Sequence, residues 1–270
     1  MSPAPTPPPR RSKPPLRLGT AGWAIRRAEV EAFPADGTTL ARYAARFGAA
    51  EINSSFHRPH KPDTYARWAA SVPDAFRFAA KLPKAITHER RLVDVDEPLD
   101  RFLGEVAGLG PKLGPLLVQL PPSLGFDARV VDAFFGLLRQ RFGEGGVACE
   151  PRHPDWFGPD AEALLVAWRA ARVAADPVPA RAPAQAAEPG GWPGLVYHRL
   201  HGSPRMYWSS YELPILQTLA ARLAAREVET WCVFDNSASG AAARNALEVG
   251  SLLGGDDPPG RERDGPPLPS

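Results

Sequence analysis

The sequence predicts a single α/β domain of the (β/α)8 TIM-barrel type, and three observations lead to this prediction. Short apolar runs alternate with helical patterns along most of the chain, which is typical of parallel sheets built from β-α units. Eight such runs fall between residues 16 and 236, and 270 residues suit one barrel of roughly 250 residues. No Gly-x-Gly-x-x-Gly pattern follows the first run, which disfavours the main alternative, an open doubly wound sheet.

The first half of the chain carries four of the predicted strands. Leu40, Tyr43 and Phe47 form one apolar stripe of the first helix, and Asp63 and Asp127 are expected to cap the second and fourth helices. The strands are predicted at 16–23, 49–56, 76–83 and 113–120, and the helices at 38–47, 63–72, 98–107 and 127–142.

The second half repeats the pattern with one interruption. Residues 177–194 are rich in Pro, Ala and Gly and carry no helical pattern, so an irregular crossover is expected between strands six and seven. The remaining strands are predicted at 146–153, 171–176, 195–203 and 229–236, and the helices at 160–171, 211–226 and 240–253.

Composition restricts the environment and the partners. The Pro-rich ends, 1–15 and 254–270, are predicted to be disordered tails around a barrel domain at 16–253. A formal net charge of +2 gives no general attraction to polyanions, which disfavours nucleic acid as a partner. No apolar run is long enough for a membrane span, and no signal-peptide core is present. Cys149 and Cys232 lie in predicted strands, which indicates buried free thiols and a cytoplasmic protein.

Polar side chains at the strand ends predict the location of a site. In a barrel of this type the active site lies at the C-terminal ends of the strands. Arg199 and His201 are two residues apart in one predicted strand and therefore share a face. The interior of a small barrel is normally apolar, and a charge that is buried alone is costly. The charged residues that converge there must pair with each other or contact a ligand.

One interpretation is a pocket for a small anionic ligand, phosphorylated or carboxylated and polyol-like. Arginine and lysine would hold the anion, while Glu150 and His201 would act as acid and base, oriented by Glu51 and Asp176. The predicted catalytic residues are Glu150, His201 and Glu51, and the predicted ligand-binding residues are Lys81, Arg152, Arg199, Asn53, Gln119, Trp23, Asp176 and Asn236. The other interpretation is a static ion-pair network that fixes the register of the barrel.

A divalent metal is an alternative cofactor. The order of Glu150, Asp176, His201 and Asp235 along the strands resembles the ligand set of metal-dependent, xylose-isomerase-like sugar epimerases. Two further classes stay open. An endonuclease-IV-like phosphodiesterase is disfavoured because the predicted mouth has few histidines. A non-catalytic scaffold would use the Pro-rich tail and the 177–194 segment.

Short motifs along the chain carry a family resemblance. They are Gly19-Thr-Ala-Gly-Trp23, Glu51-Ile-Asn-Ser-Ser-Phe56, Phe78-Ala-Ala-Lys81, Ile86-Thr-His88, the 113–122 segment, Glu150-Pro-Arg-His153, Arg199-Leu-His-Gly202 and the 240–247 segment. In this order, over about residues 16–252, the chain resembles the YecE-like family, domain of unknown function seventy-two. The resemblance implies a TIM-type barrel and no established activity. The chain departs from the family pattern at Phe56-His57, in the 24–33 segment, and at Asp235-Asn236, where Asn-Asn is usual.

Overall fold

The computed structural model describes residues 13–254, and its strands form one sheet that curves into a barrel. The ten strands are β1 (Leu16–Ala21), β2 (Ala49–Ile52), β3 (Arg77–Lys81), β4 (Leu113–Gln119), β5 (Val147–Glu150), β6 (Ala170–Arg172), β7 (Ala174–Asp176), β8 (Gly190–Gly191), β9 (Leu195–Leu200) and β10 (Glu229–Phe234). Neighbouring strands pair in parallel throughout, except that β8 is antiparallel to β6.

The barrel closes through one broken strand. β6 pairs with β5, and β7 pairs with β9 at the opposite edge of the sheet. Only Val173 separates β6 from β7, and its backbone N–H still donates to the carbonyl oxygen of Cys149 at 2.8 Å. Residues 170–176 therefore join both edges and act as the sixth strand of an eight-stranded ring. The predicted TIM-type barrel is confirmed.

Helices follow most of the strands on the outside of the barrel. They are α1 (Thr39–Ala44), α2 (Ser54–His57), α3 (Pro62–Ala70), α4 (Asp96–Val106), α5 (Ala128–Phe142), α6 (Pro159–Ala167), α7 (Leu213–Ala224) and α8 (Ala241–Leu252). Short 3-10 turns lie at Arg27–Ala32, Ala107–Lys112, Pro154–Phe157 and Ala184–Ala187, and a π-helical turn lies at Ala85–Glu89.

Two predicted helix caps have different outcomes. Asp127 accepts hydrogen bonds from the backbone N–H groups of Arg129 and Val130, at 2.9 and 3.2 Å, and caps α5 as predicted. The predicted cap role of Asp63 is wrong, because α3 already begins at Pro62. A proline fits the first helical position because its missing N–H would have no partner there.

No α-helix follows β7. Within residues 177–194 the chain forms only the Ala184–Ala187 turn and β8. A lateral cavity of about 430 Å³ lies beside this irregular crossover, lined by outward-facing residues of β7 and β9 and by α7.

Apolar packing occurs on both sides of the sheet. The larger core lies between the strands and the helices. The smaller core fills the barrel, where alanines from several strands leave room for Tyr197 and Trp231. These two rings stack with centroids 5.8 Å apart and an interplanar angle of 3°. A Cβ atom at Gly114 would lie 2.6 Å from the Trp231 ring, so this strand approaches the indole more closely than a side chain would permit.

The predicted tails at 1–15 and 254–270 lie outside the described residues, apart from 13–15 and 254. Before β1, the carbonyls of Pro14 and Pro15 accept hydrogen bonds from Arg226 and Thr230. Cys149 and Cys232 are free and buried, as predicted. None of the helices within residues 13–254 is long and apolar enough to cross a membrane. The cytoplasmic location stays a prediction.

Candidate functional site

Strand alternation brings a layer of polar side chains to the C-terminal end of the barrel. The inward positions Ala49, Ala79 and Ala148 belong to the inner core, and the next inward position of each strand is charged. Six inward side chains at and just beyond the strand ends are joined by ion pairs, and we call them the ion cluster. They are Glu51, Glu150, Arg152, Arg199, His201 and Asp235.

Arg199 lies at the centre of the ion cluster and is fully buried. Its Nε and Nη2 donate to the two carboxylate oxygens of Glu51 at 3.0 and 2.6 Å. Nη1 donates to Glu150 at 2.5 Å and Nη2 also donates to Asp235 at 2.9 Å. The guanidinium thus uses four of its five N–H groups on three carboxylates, and it is not available to a ligand.

The remaining members complete the hydrogen bonding of these acids. The Tyr197 hydroxyl donates to Glu51 at 2.8 Å. Arg152 contacts Glu150 at 2.5 Å, while His201 bridges Glu150 and Asp235 through Nε2 at 2.8 Å and Nδ1 at 3.1 Å. Each buried acid therefore faces at least one cation, which is the condition for burying charge at a tolerable cost.

Arginines lower the pKa values of two acids of the ion cluster, Glu150 and Asp235. Burial alone would raise the pKa of Glu150, but the guanidiniums of Arg199 and Arg152 hold this pKa well below its ordinary value. The pKa of Asp235 is also lowered, since burial is outweighed by Arg199 and by the hydrogen bond to His201.

These lowered pKa values predict that the protein loses stability in acid. A carboxylate with a lowered folded-state pKa stabilises the fold fully above its unfolded pKa of about 4, and this contribution is lost as the pH falls through the folded pKa. The free energy of unfolding, measured by urea denaturation between pH 7 and pH 3, should begin to decline below about pH 6.5, because burial lowers the pKa of His198 to about 4, and should fall more steeply below about pH 4 as the acids are protonated. Glu150→Gln should flatten that fall, whereas Glu31→Gln, at an exposed position, should leave it unchanged. An equally steep fall in Glu150→Gln would contradict the assignment.

A cavity of about 910 Å³ opens above the ion cluster and forms the mouth of the barrel. Three cationic side chains and a single carboxylate, that of Asp235, line it. Its walls contain Asn53, Phe56, His57, Lys81, His88, Gln119, Leu120, Pro122, Arg152, His153, Pro154, Pro179, Ala180, Arg181, Met206, Tyr207 and Asp235. We call it the mouth cavity.

Lys81 is the buried lysine of the mouth cavity. Its ammonium group lies 4.1 Å from the centre of the Phe56 ring. Within residues 13–254 no carboxylate oxygen lies within 4.0 Å of its Nζ, in contrast to Arg152 and Arg199. Burial, together with the positive charge of Arg199, lowers the pKa of Lys81 to about 8.

The predicted site residues divide into three groups. Asn53, Lys81, Gln119 and Arg152 line the mouth cavity. Glu51, Glu150, Arg199 and His201 are fully buried below it, so a ligand in the cavity would not touch them. Their acid, base and anion-binding roles stay predictions. Outside both layers lie Trp23, Asp176 and Asn236.

These three residues are displaced for identifiable reasons. Asp176 is out of phase with the inward residues Val173 and Ala175, and its carboxylate accepts a hydrogen bond from Tyr211 beside the lateral cavity at 2.8 Å. Asn236 follows the inward Asp235 and donates to Asn245 of α8 at 2.9 Å. The residue before Trp23 is Gly22, where a φ of 73° turns the chain.

Trp23 therefore packs away from the mouth. Its ring lies edge-on to Trp68 of α3, with centroids 5.0 Å apart, and also contacts Phe78. Trp23, Asp176 and Asn236, which were predicted to bind the ligand, therefore do not line the mouth cavity.

The described residues do not assemble the alternative metal site. Asp176 is turned away from Glu150, His201 and Asp235, and arginines already bind the carboxylates of Glu150 and Asp235. Within residues 13–254 no group of three or more His, Cys, Asp or Glu side chains is placed to hold a metal ion.

Sequence reasoning missed part of the mouth cavity. Arg181 belongs to the irregular crossover, and Met206 to the segment after β9. Neither segment has a helical or strand pattern that would fix its course. His88 lies in the π-helical turn Ala85–Glu89, and the motif around it was a usable signal.

Comparisons with known proteins identify the family. The family described as Protein of unknown function DUF72 matches residues 17–267. The chain belongs to the DUF72 family. The UPF0759 protein YecE of Escherichia coli K12 is 33% identical over 125 residues, a match that covers 46% of this chain and 45% of YecE. The alignment thus spans less than half the length of this curated relative.

Solved structures of DUF72 proteins share the fold. A family member from Enterococcus faecalis V583 has a TM-score of 0.75 at 23% identity, covering 92% of this chain and 100% of its own. A member from Thermotoga maritima has a TM-score of 0.72 at 23% identity, covering 88% and 99%. A sugar phosphate isomerase/epimerase from Parabacteroides distasonis has a TM-score of 0.53 at 14% identity, covering 92% and 96%.

Proposed function

We propose that this DUF72 protein binds a small anionic, phosphorylated or carboxylated, polyol-like metabolite in the mouth cavity. The observation that carries the proposal is the charge of the cavity wall, where Lys81, Arg152 and Arg181 face a single carboxylate. The cavity wall and the ion cluster together hold four cations, Lys81, Arg152, Arg181 and Arg199, against the three acids Glu51, Glu150 and Asp235. Arg152 and Arg199 are paired with these acids, whereas among the described residues no carboxylate lies within ion-pair distance of Lys81 or Arg181.

The polar groups of the wall also suit the uncharged part of such a ligand. Among the described residues the Asn53 side-chain oxygen is buried without a hydrogen-bond partner, and Gln119 also lines the wall. An amide oxygen without a partner is costly when buried, and a ligand hydroxyl would supply the missing donor. The likeness to the sugar phosphate isomerase/epimerase is one of fold only, so the ligand class rests on the cavity itself.

In this proposal the ion cluster has two roles. It forms the floor of the mouth cavity, and its Arg199 and His201 lower the pKa of Asp235. Glu150 and His201 would take part in acid–base chemistry through Asp235, which bonds His201 and also lines the mouth cavity. The metal-dependent alternatives receive no support from residues 13–254.

Calorimetric titration with glycerol 3-phosphate, inorganic phosphate and glycerol tests the proposal. The two phosphates should bind and glycerol should not. Lys81→Met should weaken phosphate binding about tenfold or more, because a hydrogen bond to a charged group contributes about 1.5–3 kcal/mol. Arg181→Met should weaken it less, since Arg181 is exposed.

A matched control is available three residues from Lys81. Lys84 is exposed and pairs with Glu89 at 3.0 Å, so Lys84→Met should leave the affinity unchanged. Equal binding of glycerol and glycerol 3-phosphate, or unchanged affinity in both Lys81→Met and Arg181→Met, would contradict the proposal.

A further inference from the structure

Lys81 differs from the other buried cations at the mouth, Arg152 and Arg199, in having no carboxylate within ion-pair distance among the described residues. Arg199 takes all three carboxylates of the ion cluster, and Arg152 shares Glu150. The charged groups that act on the Lys81 amine are Arg199, Glu51, Glu150 and Asp235, and Lys81 in turn acts on His88. Among the described residues none of these acids lies within ion-pair distance of the Lys81 amine.

The backbone of Lys81 is anchored, and its side chain reaches the mouth cavity. Lys81 is the last residue of β3, and its carbonyl accepts a hydrogen bond from the buried Ser55 hydroxyl at 2.7 Å. Its side chain is only 9% exposed, lies over Phe56 and lines the mouth cavity. A buried amine beside an apolar ring and a second cation has the environment of nucleophilic lysines.

We propose that Lys81 forms an imine with the carbonyl carbon of an aldehyde or ketone that carries an anionic group. This inference rests on the proposed function, since the anion would be held by Arg152 and Arg181 on the cavity wall. The ligand class is thereby narrowed to anionic polyols with a carbonyl group.

The step balances without a cofactor or a redox partner. The nitrogen lone pair of the neutral amine forms a bond to the carbonyl carbon as the C=O π bond breaks, and one proton passes from nitrogen to the oxygen to give a carbinolamine. The second proton of the nitrogen then passes to the hydroxyl group, the C–O bond breaks, and water leaves as the C=N bond forms. Because the pKa of Lys81 is lowered to about 8, a substantial fraction of this amine is neutral near pH 8.

Reductive trapping tests the inference. The full chain is incubated with dihydroxyacetone phosphate and sodium cyanoborohydride, and adducts are located by peptide mapping. The chain has five lysines, so each site can be followed separately. We expect Lys81 to be labelled at least about tenfold faster than Lys84, because binding positions the carbonyl beside it. Uncharged dihydroxyacetone should label Lys81 more slowly than its phosphate does.

The control variant is Lys81→Arg, which keeps the positive charge but cannot form an imine. It should lose the fast adduct, whereas Lys84→Arg, at an exposed position outside the mouth cavity, should keep the fast adduct at Lys81 and bind glycerol 3-phosphate as the wild type does. The wild-type map is itself decisive if that variant fails to fold. Fast labelling at Lys81 supports the inference, and equal labelling of Lys81 and Lys84 overturns it.

Failure of the two proposals can be told apart. Phosphate binding without preferential labelling of Lys81 would overturn the imine and leave the anion site. Absence of both phosphate binding and preferential labelling would overturn both. Preferential labelling that is equally fast with uncharged dihydroxyacetone would support the nucleophile and overturn the anion requirement.

Discussion

Replacing Arg199 with methionine is expected to lower the free energy of unfolding by about 3–5 kcal/mol, the cost of removing one partner from a buried ion pair. The guanidinium is fully buried and binds Glu51, Glu150 and Asp235. Without it, Glu51 loses its ion-pair partner, and Glu150 and Asp235 keep only Arg152 and His201 among the described residues. Urea denaturation at pH 7 measures the stability, and calorimetry should also show loss of phosphate binding.

A second substitution separates charge from packing. If unpaired charge causes the loss, adding Glu51→Gln to Arg199→Met should recover part of the stability. A loss that came only from the missing side-chain volume would not be recovered. Arg222 is the control, because its pair with Glu188 is exposed and such pairs contribute at most about 1 kcal/mol. A loss below about 1 kcal/mol in Arg199→Met would refute the central role of this residue.

Trp231→Ala is expected to cost about 3–5 kcal/mol, as large-to-small changes of buried tryptophan do. The indole is fully buried in the barrel and stacks on Tyr197, whose hydroxyl donates to Glu51. The cavity left behind would free the Tyr197 ring and weaken the support of Glu51. Stability by urea denaturation and phosphate affinity should therefore fall together.

Trp208 supplies the control for this substitution. Trp208 is 48% exposed and contacts Arg205. Trp208→Ala should therefore lower the free energy of unfolding much less than Trp231→Ala does. Stability of Trp231→Ala within about 1 kcal/mol of the wild type would show that the inner core does not depend on the indole.

The sequence was sufficient for the barrel and for the inward face of β9. Alternation predicted that Tyr197, Arg199 and His201 share a face, and all three are fully buried inside the barrel. The same rule, applied from Ala175, would have turned Asp176 outward. Its position at the end of a strand predicts a place at the mouth. The direction of its side chain is instead decided by alternation along the strand, which turns Asp176 outward.

The contact partners of a buried side chain cannot be predicted from the local sequence pattern when they lie far away along the chain. Whether Arg199 faces a ligand or faces acids is decided by Glu51 and Glu150, which lie 148 and 49 residues away along the chain. The ion-pair interpretation describes the contacts of Arg199, and the anion-pocket interpretation stays a prediction for the cavity above them. The paired network forms the floor, and the unpaired Lys81 belongs to the cavity above it.

The stacked rings of Tyr197 and Trp231 have a consequence for solvent access to the ion cluster. They fill the barrel beneath Glu51 and Arg199, and we therefore expect solvent to reach these groups from the mouth side. A ligand bound in the mouth cavity would block this access of solvent to the ion cluster. Exchange of the guanidinium protons of Arg199 with the solvent would then report the occupancy of the cavity directly, without any chemistry taking place.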